Sequence, residues 1–124
     1  MRSFLLLLSF GVISLLGSMS PAFAEDKNES LAETKEWTAY HLLDRQVTEI
    51  YQKILIAIPT PAAREKFTEA QNAWLKFRGI QGEFAAVDAP DKETGKLRMA
   101  VSFSATTQAR IDELKKLQDS STTK

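Results

Sequence analysis

Apolar residues run from Phe4 to Leu16 with only Ser9, Gly11 and Ser14 between them, and no later block is as long. Further along, the pattern turns periodic. Trp37, Tyr40, Leu43, Val47, Ile50, Tyr51, Ile54, Leu55 and Ile58 recur in steps of three and four, which places one apolar stripe on a long helix. Ser30-Leu31-Ala32-Glu33 ahead of the stripe fits a capping box, in which hydroxyl and carboxylate satisfy free amides at a helix start. Pro59 ends the helix, because proline donates no backbone hydrogen bond and restricts the residue before it. Thr60-Pro61 is a start signal, a hydroxyl cap followed by proline in the first turn.

A second helix then carries Phe67, Ala70, Trp74, Phe77, Gln81 and Phe84 on one side. So short a connection makes the first two helices an antiparallel hairpin. The polar run Asp88 to Lys96, with its proline and glycine, reads as a loop. A third helical pattern follows through Leu97, Ala100, Val101, Ser104, Thr107, Ile111, Leu114 and Leu117. Its hydroxyl-rich middle, Ser102 to Thr107, reads as a helix start, a kink or a turn, because such side chains compete for backbone hydrogen bonds. Gln118 to Lys124 is expected to be a frayed polar tail. The expected fold is all-α: a helical hairpin with a third helix packed across it, the core spanning about residues 30–117.

The N-terminal apolar block has the parts of a cleaved secretory signal peptide. Arg2 precedes it and Ala22-Phe23-Ala24 gives a small-x-small cleavage site. The block is shorter than the roughly 20 residues that span a bilayer, which disfavours an uncleaved anchor. The expected division is residues 1–24 as signal peptide and 25–124 as one domain, periplasmic or secreted, with no stable membrane anchor after cleavage. Cleavage removes one basic residue from sixteen, leaving 15 against 16 acidic, a formal net charge of −1. That balance argues against nucleic acid as a partner. With no cysteine anywhere, neither a lipid anchor nor a disulfide is available, and stability must come from helix packing.

Little in the inventory points to catalysis, a metal or a cofactor. His41 is the single histidine, no Gly-x-Ser-x-Gly turn surrounds a serine, and no second ligand stands at metal spacing. Glu65 and Glu69 read as a solvated face beside lysines. Asn28-Glu29-Ser30 is a glycosylation sequon only where the host modifies secreted chains. The informative cluster is Gln71 to Arg78. Gln71, Trp74 and Arg78 share a helix face with Phe67, and an arginine on such a face needs a partner. Asp44 is the best-placed candidate, with Tyr51 able to add a hydroxyl; Arg110 is a second cation flanked by core positions. These arginines read either as clamps between helices or as a polar recognition patch, with the clamp favoured.

Three elements carry a resemblance. Asp44-Arg45-Gln46-Val47-Thr48-Glu49-Ile50-Tyr51, Gln71-Asn72-Ala73-Trp74-Leu75-Lys76-Phe77-Arg78, and Thr107-Gln108-Ala109-Arg110 followed by Leu114 resemble the Asp-x-x-Leu-Asn-x-x-Tyr, Gln-x-Ala-Trp-x-x-Tyr/Phe-Arg and Thr-x-x-Arg-x-x-x-Leu elements of the lysozyme inhibitor LprI-like, N-terminal domain family. Val47-Thr48 replaces the usual Leu-Asn, and Gly79 stands where Asp is common. The resemblance implies family cysteines at two places held here by Gly82 and Phe103, and so a divergent member without the disulfide framework.

What the resemblance implies is a non-enzymatic protein with lysozyme as its partner. An inhibitor would occlude a cleft holding two catalytic carboxylates. The loop Asp88–Met99 is the expected contact, with Lys92, Lys96 or Arg98 reaching those carboxylates and Asp88, Asp91 and Glu93 meeting a cationic rim. The alternative is a structural or interaction module of the cell envelope, binding another protein through a helix face.

Overall fold

The computed structural model describes residues 34–122, and over that span the chain is all-α with no strand. The signal peptide, the sequon and the Ser30–Glu33 box lie outside the described residues. Helix α1 covers residues 34–57, α2 Pro61–Ala86 and α3 Lys92–Thr122. The first two form the hairpin and α3 packs across both.

The α1–α2 turn is fastened from both sides. Ile58 N donates to Ile54 O at 3.1 Å, closing α1. Thr60, in extended backbone, accepts from Ala63 N with its hydroxyl, and Pro61 opens α2. Arg64 Nε then reaches back to Ile58 O at 2.7 Å, which pairs one carbonyl at the end of α1.

Val47, Ile50, Ile111 and Leu114 form the buried centre, with Leu43, Tyr51, Ile54, Phe67 and Trp74 against it. The inward face of α2 differs from the expected one. It comprises Phe67, Gln71, Trp74, Arg78 and Gly82, while Phe77 and Phe84 stand out in solvent, as does Val101 on α3. Arg78 and Gln71 take the inward places because α1 and α3 offer them polar partners there.

Helix α3 also departs from the expected loop and tail. It begins at Lys92, so Lys92, Glu93, Lys96 and Arg98 sit on its opening turns and the connection shrinks to residues 87–91. Asp91 explains the early start. Its carboxylate accepts from Thr94 N at 2.7 Å and from the Thr94 hydroxyl at 3.0 Å, an N-terminal cap. Glu93 adds a negative charge to the first turn, where the helix dipole favours it. Gly95 is buried against Ala86 and Ala89, which brings the two helix ends close. The hydroxyl-rich middle is uninterrupted helix, and the tail stays helical through Thr122, with Ser120, Ser121 and Thr122 donating back to carbonyls three or four residues earlier.

Candidate functional site

Arg78 lies at the meeting point of the three helices. Its Nη1 donates to Asp44 Oδ1 of α1 at 2.7 Å and to Thr107 Oγ1 of α3 at 3.2 Å. Aromatic faces surround the guanidinium: its central carbon is 4.8 Å from the Trp74 ring centre, 5.2 Å from Tyr40 and 5.9 Å from Phe103. Those ring quadrupoles attract the cation, and the carboxylate balances its charge. The side chain is only 11% exposed against 39% for Asp44, so the pair is buried on the arginine side and wet on the other.

A second arginine repeats the device one layer along. Arg110 Nε and Nη2 both donate to Gln71 Oε1, at 3.1 and 3.0 Å, and Nη1 donates to Glu113 Oε2 at 2.9 Å. Trp74 stands near both cations, its ring 5.9 Å from the Arg110 carbon. Leu114, one turn beyond Arg110, is fully buried in the core. Asp44, Gln71, Trp74, Arg78, Thr107, Arg110 and Leu114 are therefore brought together. Tyr51 shares the core beside Leu114 but not the arginine contacts: its hydroxyl donates to Thr68 Oγ1 at 3.1 Å and its ring stacks on Phe67 at 5.1 Å, because it lies two turns past Asp44 and faces the start of α2.

Three members of the cluster were not among the site residues expected from the sequence, although Trp37 and Tyr40 stood on the apolar stripe of α1. Tyr40, Trp37 and Phe103 pack edge-on and tilted at centroid distances of 5.2–5.8 Å. Tyr40 was within reach, since it stands one turn before Asp44 on the same face. Burial raises the Tyr40 phenol above its ordinary pKa, with nearby Arg78 opposing and Asp44 adding to the rise. His41 packs beside the Tyr40 and Trp37 rings, at 5.1 and 6.2 Å. The polar atoms at this centre bond one another across helices, an arrangement that sets register and offers no nucleophile with an adjacent base.

The outward-facing charges collect at the α2–α3 corner. Arg98 Nη1 meets Asp88 Oδ1 at 3.3 Å, both exposed. Lys92, Glu93 and Lys96 are exposed beside them. Asp91 is turned to capping, and the Thr94 amide and hydroxyl hold its carboxyl below the usual range. Among the described residues no group of acidic, histidine or cysteine side chains is arranged to hold a metal, and no helix is long and apolar enough to cross a membrane.

No curated protein and no solved structure matches the chain. A family model, Lysozyme inhibitor LprI, matches residues 24–114, which takes in both hairpin helices and α3 as far as its buried leucine. With the Asp44–Arg78–Thr107 clamp joining all three matched elements, the chain belongs to the LprI lysozyme inhibitor family.

Proposed function

We propose that this protein is exported and inhibits lysozyme by binding it, without catalysis of its own. The observation that carries the reading is the family match across residues 24–114. The contact is the α2–α3 corner. Lys92, Lys96 and Arg98 stand exposed on the first turns of α3, in one helical segment rather than on a flexible loop. A helical segment loses less conformational entropy on docking than a free loop does. The cations meet the two carboxylates of the lysozyme cleft, while Asp88 and Glu93 face its basic rim. Asp91 serves indirectly, by fixing where α3 begins.

The test is lysis of bacterial cell walls by lysozyme, with and without the purified protein. Slower lysis that is relieved in a Lys92→Glu, Arg98→Glu variant supports the reading. Unchanged lysis at excess protein, with lysozymes of several types, overturns it. Inhibition that the double variant retains overturns the corner as its contact. A formal net charge of −1 on the exported chain gives little long-range steering, so the rate of encounter should depend only weakly on salt.

A further inference from the structure

Ala70, Ala73, Phe77, Ile80, Phe84 and the cap residue Val87 form an exposed strip along α2, with Phe77 at its edge beside α3. The four large ones carry 52%, 55%, 71% and 76% exposure, and together the six form a contiguous apolar strip. Their spacing is 3-4-3-4-3, the alternation of a and d positions in a coiled-coil seam. It runs for about 27 Å of helix. The core does not use this face, since the inward face of α2 holds Gln71, Trp74, Arg78 and Gly82.

We propose that α2 pairs along this seam with α2 of a second copy of the chain, antiparallel and about a two-fold axis. The spacing reads the same in both directions, which lets one strip pair with itself. In that register Phe77 lies opposite the partner's Ile80, Ala73 opposite the partner's Phe84, and Ala70 opposite the partner's Val87. Each small residue faces a large one, so the layers interdigitate rather than collide.

Charge selects the same arrangement. Lys76 and Glu83 flank the seam, both exposed and with no ion-pair partner among the described residues. The antiparallel register places Lys76 beside the partner's Glu83, and the symmetry repeats that pair on the other half. A parallel pairing would instead bring Glu83 beside the partner's Asp88, two like charges.

Sedimentation equilibrium of the purified protein tests this, independently of any lysozyme activity. A dimer is expected at micromolar concentration. Ile80→Asp should make it monomeric while circular dichroism and Tm at matched concentration keep a folded helical profile, because Ile80 is exposed in the monomer. Lys76→Glu and Glu83→Lys should each weaken association about tenfold, and the two together should restore it. A monomer at all concentrations overturns the proposal and leaves the strip to a different protein. So does a dimer that survives Ile80→Asp. Failure of the double exchange to restore affinity overturns the antiparallel register.

Discussion

The ring of Phe103 fills the space that a side chain at Gly82 would occupy. A Cβ on Gly82 would overlap the ring at Cε1, stand 2.8 Å from Cδ1 and lie 3.1 Å from Met99 Cγ. The two positions that the resemblance assigns to family cysteines therefore face each other across α2 and α3, and an aromatic knob in a glycine hole joins them here. Phe103 cannot swing aside, because Tyr40 and Trp37 pack against it and Arg78 lies over it.

Gly82→Ala should accordingly destabilise the fold by about 1–3 kcal/mol, the range for overpacking a filled site. Gly79, three residues earlier on the same helix, has nothing within 4 Å of its would-be Cβ. Gly79→Ala should stabilise by roughly 0.5–1 kcal/mol through helix propensity alone. Urea denaturation of the two variants should move the midpoint in opposite directions.

Cysteines at the two positions together, Gly82→Cys with Phe103→Cys, should form a cross-link under mild oxidation. Thiol titration and gel mobility report it. Persistently free thiols in the folded double variant would show that the positions do not approach closely enough for disulfide geometry.

Removing the Arg78 side chain should be among the costlier single changes. Arg78→Ala takes away the bond to Asp44, the bond to Thr107 and three ring contacts at once. Loss of a fully buried pair would cost about 3–5 kcal/mol; since Asp44 is partly solvated, roughly 2–4 kcal/mol is expected. Arg78→Lys should recover only part of this, because a point charge cannot hold the planar contacts between aromatic faces. Thermal unfolding at fixed protein concentration separates the three proteins.

Much of this arrangement was legible in the residues, and the rest depended on neighbours the sequence does not display. Period alone supports three helices and the hairpin, since Pro59 and Thr60-Pro61 punctuate the chain sharply. Asp44 could be matched to Arg78 because a cation on an inward face demands a nearby carboxylate. Which side of α2 turns inward was harder. Phe77 and Arg78 are adjacent, so they point about 100° apart, and hydrophobicity alone favours Phe77. Arg78 takes the inward place because Asp44, Thr107 and the three rings satisfy it, and those partners come from three separate stretches. The start of α3 was obscured likewise: Gly95 reads as a turn signal until Ala86 and Ala89 are seen packed against it.

Two groups give pH dependence with opposite signs. Because folding lowers the Asp91 pKa, the unfolded chain takes up the proton first. The capping contribution is thus present at neutral pH and fades as the pH falls below about 4. Asp91→Asn keeps a cap but removes the titration, so its Tm should fall less between pH 5 and 3 than that of the parent. Burial raises the Tyr40 pKa, so above about pH 10 the unfolded chain loses its proton while the folded one keeps it, and stability declines. Tyr40→Phe should flatten that alkaline decline.

The three-residue turn between α1 and α2 also bears on how quickly the chain reaches its fold. Phe103 of α3 meets Tyr40 of α1 only across a wide stretch of chain, but within the hairpin Tyr51 and Thr68 meet across a sequence separation of only 17. Contacts this local cost little loop-closure entropy, and helical domains of low contact order fold in microseconds to milliseconds. The hairpin should zip from its turn and α3 should dock onto it afterwards. With no thiol to oxidise or reshuffle, neither an oxidant nor a disulfide isomerase sets the pace. An unfolded chain would reach its fold without waiting on disulfide chemistry.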